Sequence, residues 1–306
     1  MLIPPSQICL PQVPTVPGQT VSPHRIPKEI TDIIISLLHT GNSHAYKSLC
    51  NCALVCRDWL PASRHYLLKD IGLDSDRQYS LFVSNVVRSP KMSTWFPSTR
   101  QITLGAFPED EKSIDGRDMQ TASRLCLREL GGKFPKLEVL EIINLNWDTR
   151  ECSVPRARMF ITFGAFTSVQ TLSLTETRFP SFGTMRCAII ALPSLIDLRI
   201  RDVTWPIQRS ILPLRSTQKS EFLGGVCGFI LVGLDSPLVE EMFGWLSDTA
   251  FGTSLAKIRM QSTMLLKGSE VWRYAGSSVT QLALKFEEVK GELADDSKSH
   301  KYAIMN

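Results

Sequence analysis

The chain has 306 residues, 43% of them hydrophobic, which is enough for one large core or two smaller ones. Its 34 basic and 30 acidic residues give a net charge of +4, too small and too scattered an excess to indicate a nucleic-acid-binding protein. The eight cysteines are irregularly spaced, which fits reduced thiols better than a disulfide framework. We therefore expect an intracellular protein, cytoplasmic or nuclear, with one or two domains.

The first segment of the chain is rich in proline. Residues 1–25 contain six prolines that interrupt every apolar stretch, so they predict a disordered leader rather than an export signal. The longest weakly polar run, Phe222 to Leu234, has 13 residues. A membrane-spanning helix needs roughly 18 or more. The sequence therefore predicts no membrane partner.

Three short helical segments follow within residues 26–71. In the first, RIPKEITDIIISLLH, apolar residues form one arc with charged residues opposite, and Pro27 suits the first helical position. Pro61 separates the second segment from the third, ASRHYLLKDI. Ile35 and Val55 lie off the main apolar stripes, and so small a unit buries little surface by itself. We expect its leftover apolar surface to meet a partner.

The second helical segment holds Cys50, Cys52 and Cys56, which raises the alternatives of a zinc site, a redox pair or a buried helix. On one helix Cys50 points about 200° away from Cys52 and about 240° away from Cys56, so the three thiolates cannot converge on one ion. His39 and His44 are conceivable further ligands, but no Cys-x-x-Cys pair lies nearby to complete a tetrahedral site. We predict core thiols, no metal and no cofactor.

Two motifs mark the ends of this helical unit. IPKEI runs from Ile26 to Ile30, and CALVCRDWL runs from Cys52 to Leu60. Together with the apolar pairs between them, they resemble the F-box of the large fungal F-box families. The resemblance implies docking onto the Skp adaptor of a Skp–cullin–F-box ubiquitin ligase, and through that adaptor onto a cullin. The adaptor-contacting residues that it implies are Ile26, Pro27, Ile30, Ile34, Leu54, Val55 and Trp59.

From residue 96 onward the sequence repeats itself loosely. FPSTRQITLGAF, FPKLEVLEIINLNW, FTSVQTLSLTETRF and LPSLIDLRIRDVTW each read apolar-x₅-apolar-x-apolar. The last three also have an aromatic residue seven positions after the first strand residue: Trp147, Phe179 and Trp205. Weaker copies follow in GFILVGL, SLAKIRM and SVTQLAL. The first strand residues of the seven copies, 24–38 residues apart, are Ile102, Leu140, Leu172, Leu198, Phe229, Ile258 and Leu282.

Periods of this length with an L-x-x-L-x-L core are typical of stacked units that each contain a strand and a helix. Helical stretches such as FGTMRCAIIAL and PLVEEMFGWLSD fit between the strands. The pattern resembles irregular, divergent leucine-rich repeats, and an ordinary α/β domain with similar strands is the alternative. The predicted α/β chain thus has a leader (1–25), a three-helix F-box (26–71), a helical connection (72–95), a leucine-rich-repeat-like solenoid of parallel strands plus helices (96–290) and a flexible tail (291–306).

Residues beside the apolar strand positions should point onto one concave surface of such a solenoid. The candidate substrate contacts there are Glu141, Ser173, Asp197, Arg199, Arg201, Lys257, Arg259 and Lys285. The later half of this surface is net basic, and arginine binds carboxylate and phosphate in bidentate geometry, so we expect a protein substrate with acidic or phosphorylated segments. In the Phe229 copy the outward residues Ile230 and Val232 are apolar, so either its register is wrong or something covers them.

The sequence lacks the motifs of common catalytic sites. No phosphate-binding, dinucleotide-binding, zinc-protease or serine-hydrolase motif occurs. No histidine lies between Tyr66 and Ser299, so a Ser-His-Asp or Cys-His arrangement would have to borrow one from the helical unit or the tail. We predict a non-catalytic substrate-recognition subunit of a Skp–cullin–F-box ligase, which acts by proximity. The alternative is a leucine-rich-repeat scaffold that acts outside a ligase.

Overall fold

A computed structural model gives the chain an α/β fold, in which a helical unit precedes one long sheet. The residues it describes are 26–39, 45–105, 127–147, 162–206, 227–234, 236–247, 256–261, 280–285 and 302–305. The predicted leader, 1–25, lies outside the described residues. Among the described helices, none combines the length and the apolar character needed to cross a bilayer.

The three predicted helices of the first unit are confirmed. They are α1 (Lys28–His39), α2 (Ala45–Val55) and α3 (Leu60–Leu67). Pro61 lies in the first turn of α3, where a missing N–H leaves no hydrogen bond unmade. The buried hydroxyl of Ser63 donates to the Trp59 carbonyl at 2.8 Å and so stabilises the same turn. α3 contacts both of the other helices and the first strand of the sheet.

Within the described residues, nine strands form one sheet in which every strand pairs with its neighbour in sequence. They are β1 (Asp70–Leu73), β2 (Gln101–Leu104), β3 (Val139–Ile143), β4 (Thr171–Thr175), β5 (Asp197–Arg201), β6 (Gly228–Val232), β7 (Lys257–Gln261), β8 (Gln281–Lys285) and β9 (Tyr302–Met305). All pairs are parallel except β8–β9, which is antiparallel.

Parallel neighbours need crossover segments, and the described crossovers are helical in part. Their helices are α4 (Asp76–Phe82), which continues into a π-helical turn (Val83–Val87), α5 (Phe182–Ile190) and α6 (Ser236–Ser247). Two 3₁₀ turns, Ser93–Ser98 and Thr162–Ala165, lie in the same layer of connections. The core lies between this layer and the sheet, and the prediction of helices at α5 and α6 is confirmed.

The strand register follows the predicted repeat. The seven predicted first strand residues form one continuous row across the sheet: Ile102, Leu140, Leu172, Leu198, Phe229, Ile258 and Leu282. The first six of these side chains are buried. The register of the Phe229 copy is therefore confirmed. Ile71 extends the row into β1, so the repeat begins one unit earlier than predicted.

The sheet departs from the predicted boundaries at both ends. β1 lies across the junction of the predicted F-box (26–71) and helical connection (72–95). Its four residues alternate between exposed and buried, a pattern too short to be read from sequence alone. In the tail that was predicted to be flexible, 291–306, residues 302–305 form β9, and the rest of the tail lies outside the described residues.

Each repeat begins its strand with the same backbone contact. The carbonyl of Lys69 accepts the N–H groups of both Arg100 and Gln101, at 2.8 and 3.1 Å. The carbonyls that repeat this double contact with the next strand are those of Arg100, Glu138, Gln170, Ile196, Cys227 and Ala256. These bonds align the strand starts, and this is why repeats whose lengths vary from 24 to 38 residues keep one register.

The strands also end alike. The residue after each of five strands has a positive φ between 51° and 95°: Gly105, Asn144, Glu176, Asp202 and Gly233. The three predicted closing aromatics, Trp147, Phe179 and Trp205, are all buried. The ring centroids of Trp147 and Phe179 lie 4.5 Å apart, and the rings meet edge to face. These aromatic side chains therefore pack in the core and do not form a surface on which bases could stack.

Candidate functional site

Most of the exposed large apolar side chains in the described residues lie on the first helical unit. These are Ile26, Ile30, Ile33, Ile34, Leu37, Tyr46, Leu54 and Val55, which we call the helix face. Two others, Leu81 and Ile196, lie elsewhere. A concentration of apolar side chains in water is typical of a protein–protein interface.

The orientation of α1 creates much of this helix face. Ile35 is fully buried together with Thr31, whose hydroxyl lies 3.4 Å from the Pro27 carbonyl. The wide apolar arc on the other side of α1 is left in solvent. The expectation that Ile35 would be leftover surface is therefore wrong. α1 packs on the rest of the unit through a narrow strip, and the apolar arc itself is the leftover surface.

The structure exposes nearly all of the residues that the F-box resemblance implies for adaptor contact. Ile26, Pro27, Ile30 and Ile34 are exposed at the start and along the outer side of α1. Leu54 is 84% exposed and Val55 is 62% exposed at the end of α2, and Trp59 is half-buried just before α3. Ile33, Leu37 and Tyr46 are exposed as well, and the first two could have been found from the apolar arc that they share with Ile30.

Polar contacts fix the helical unit to the start of the sheet. His39 Nε2, at the end of α1, lies 3.0 Å from Asp70 Oδ2 of β1, and its ring packs against Tyr66 of α3. His65 Nδ1 lies 3.1 Å from Ser98 Oγ in the 3₁₀ turn before β2. Burial, together with nearby positive charge, lowers the pKa of His65, so this contact is made by a neutral imidazole at pH 7. The helix face is thereby held in a defined position relative to the sheet.

The cysteines of α2 differ from one another in burial. Cys52 is buried, and this burial raises the pKa of its thiol, so the thiol stays protonated at neutral pH. Cys50 is half-buried, but Cys56 is exposed because α2 ends at Val55. The prediction of a core thiol is therefore wrong for Cys56. Within the described part of the chain, no group of three or more His, Cys, Asp or Glu side chains is placed to hold a metal.

The outward side chains of β2 to β7 form a second surface, which we call the strand face. Its first half, on β2 to β4, is closed by contacts within the protein. Gln101 Nε2 and Thr103 Oγ1 both donate to Glu141 Oε2, at 3.3 and 3.1 Å. On β4 all five residues are buried, among them Ser173 and Thr175. Of the predicted substrate contacts, Glu141 is thus held by its neighbours and Ser173 is not accessible.

The second half of the strand face, on β5 to β7, is open. Arg199 and Arg201 are exposed on β5, and Lys257 is exposed on β7. Between them lie Ile230 and Val232 of β6, which are half-buried and aligned with the two arginines. Asp197 also belongs to β5, and its carboxylate fills the space beside Gly228 where a Cβ would stand.

Two further predicted contacts are placed by register alone. Arg259 follows Ile230 in the strand register on β7, and Lys285 is the last residue of β8. Their side chains lie outside the described part of the structure.

Comparison with known proteins assigns no family to the chain. No model of a known protein family matches the sequence, and no curated protein matches it. The fold defines an α/β chain with two distinct surfaces, an apolar one on its helices and a partly basic one on its sheet.

Proposed function

We propose that the chain is a substrate-recognition subunit of a Skp–cullin–F-box ubiquitin ligase. In this role the helical unit is its F-box, and the sheet with its crossovers is a leucine-rich-repeat-like substrate-binding part. The observation that carries the proposal is the helix face, because it contains the F-box-like motifs and leaves large apolar side chains in water. A partner that covers them removes this apolar surface from water, which stabilises the complex by about 25 cal/mol per Å² buried.

The order of the sheet supports the repeat part of the proposal. Consecutive parallel strands, one register row and a repeated double contact at each strand start are what stacked units of one kind produce. Exposed free thiols at Cys56, Cys187 and Cys227 support a reducing compartment, so we place the protein in the cytoplasm or the nucleus.

The mechanism is proximity, and the chain performs no chemistry of its own. The helix face docks on the Skp adaptor, the adaptor binds a cullin, and the strand face holds the substrate near the charged ubiquitin carrier. Binding then raises the effective concentration of the substrate's lysines at the carrier. The contacts His39–Asp70 and His65–Ser98 support this mechanism, because they keep the two surfaces at a fixed distance.

Adaptor binding is expected to fail in the double variant Leu54→Asp/Val55→Asp. Both side chains are largely exposed, so two carboxylates in their place should weaken binding by about 100-fold or more while barely changing stability. The measurement is co-purification with the Skp adaptor of the host, followed by titration calorimetry and thermal unfolding of each variant. Trp59→Ala is less informative because Trp59 is half-buried beside the first turn of α3.

Leu81→Asp is the matched control. Leu81 is 51% exposed on α4, outside the helix face, so the same substitution there should leave adaptor binding unchanged. A folded wild-type chain that forms no complex would contradict the proposal. So would a double variant that binds as well as wild type. A complex with the adaptor that recruits no cullin would contradict the ligase role and favour the alternative, a scaffold that binds the adaptor outside a ligase.

A further inference from the structure

We propose that the open half of the strand face docks an extended acidic segment of a protein that carries one apolar side chain between two carboxylates. The inference rests on the proposed function in that it names the substrate class of the strand face. It does not depend on adaptor binding, because a different surface is involved. The carrying observation is a strip of apolar side chains on β6 with exposed cations on both neighbouring strands.

The register places these two kinds of chemistry side by side. Arg199 is aligned with Ile230, and Arg201 is aligned with Val232, across a strand spacing of about 4.8 Å. On the far side of β6, Lys257 is exposed and aligned with Gly228, two residues before Ile230. Attraction between charges alone does not account for the two half-buried apolar residues at the centre of this surface. Its occupant must therefore present an apolar group between charged ones.

The arginines are available for such a partner. Within the described residues neither Arg199 nor Arg201 takes part in any of the ion pairs of the chain. The two carboxylates at the ends of β5 lie over neighbouring glycines instead: Asp197 over Gly228, and Asp202, which follows the strand, over Gly233. A side chain at either glycine would occupy the place of the carboxylate. Each acid is therefore held beside its glycine at one end of the strand.

The positions of the acids also set the direction of the bound segment. Asp197 lies at the start of β5, while Asp202 and Glu176 follow the ends of β5 and β4. Because carboxylates border the basic area at both ends of the strands, an acidic segment is favoured only if it crosses the strands. The buried outward residues of β4 close the path on one side, so the segment lies over β5, β6 and β7.

This crossing fits an acidic–x–apolar–x–acidic pattern. Alternate residues of an extended segment face the same side, so its two outer carboxylates are about 13 Å apart and its apolar residue lies midway. The cations stand on strands about 10 Å apart, and their long flexible side chains can meet those carboxylates. The apolar residue is then placed over Ile230 and Val232.

The spacing favours carboxylates over a phosphate group. Arg199 and Arg201 are two residues apart on one strand face, which separates their Cα atoms by about 7 Å. A phosphate is bound most tightly where several donors converge on one group. The exposed cations are instead spread over β5 and β7 of an open surface, and this arrangement suits two separate acidic side chains, one over each of these strands.

Fluorescence anisotropy of labelled peptides against the full-length chain tests the inference. A peptide centred on Asp-x-Leu-x-Asp should bind, and the Asp-x-Ser-x-Asp and Lys-x-Leu-x-Lys peptides should bind about 10-fold more weakly or not at all. Arg199→Glu/Arg201→Glu should weaken the first peptide about 10-fold or more. Ile230→Ser should reduce the preference for Leu over Ser without abolishing the charge preference.

Lys133→Glu/Lys136→Glu is the matched control, because it changes the net charge by the same amount as Arg199→Glu/Arg201→Glu. Both lysines are exposed in the turn before β3. It should bind the first peptide like wild type. Equal binding by the arginine variant, or no binding by a folded wild-type chain, would overturn the inference. So would tighter binding of a phosphoserine peptide that lacks flanking acids. Adaptor co-purification of the same samples keeps this result separate from that of the helix face.

Discussion

Gly105→Ala is expected to lower the free energy of unfolding by about 3 kcal/mol. Gly105 follows β2 with a φ of 95°, a left-handed conformation that destabilises any residue with a Cβ. The added Cβ would also collide with the carbonyl oxygen of Ile143, which belongs to the backbone of β3 and cannot turn away. Urea unfolding followed by circular dichroism measures the loss.

Gly244→Ala is the control, because the same substitution at this position should raise stability rather than lower it. Gly244 lies within α6, and a Cβ there meets no atom within 4 Å. Alanine is a better helix former than glycine, so this variant should be more stable by about 0.5–1 kcal/mol. A Gly105→Ala protein as stable as wild type would show that β2 does not end against β3 in this way.

The strand register could be predicted because side chains alternate along a strand. A slip of one residue would turn every buried side chain of a strand to the other face, so the apolar positions of each copy define its alignment. The copy at Phe229 illustrates this. Its outward residues Ile230 and Val232 are also apolar, and only the inward Phe229 and Leu231, which are both buried, decide the register.

The ends of the strands could not be predicted in the same way. Asn144, Glu176 and Asp202 adopt the left-handed conformation that Gly105 and Gly233 adopt in other copies. The N–H groups of the first three donate at 2.8–2.9 Å to carbonyls of the following repeat. These bonds between repeats offset the local strain, so the residue type alone does not show the conformation.

Burial on the two surfaces was harder to predict than secondary structure. An amphipathic pattern predicts that α1 is a helix, but it does not tell whether the apolar side meets the core or a partner. Similarly, Ser173 has the polar type and the outward position of an exposed residue, yet it is buried. In both cases the outcome depends on contacts with segments far away in the sequence.

Ile35→Ala is expected to destabilise the helical unit by about 3 kcal/mol, because Ile35 is fully buried and the substitution leaves a cavity. Ile34→Ala, one residue earlier, should change stability by less than about 1 kcal/mol, since Ile34 is 37% exposed on the helix face. The two variants remove the same atoms from the same helix. Thermal unfolding and adaptor titration of both variants measure the difference.

The two isoleucines decide which side of α1 is free for a partner. If the proposed function holds, Ile34→Ala should weaken adaptor binding in a folded protein, whereas Ile35→Ala should act mainly through loss of folded protein. The reverse result would mean that α1 packs on the unit through its wide apolar arc. The helix face would then be buried within the chain itself, and the proposed docking on the Skp adaptor would lose the observation that carries it.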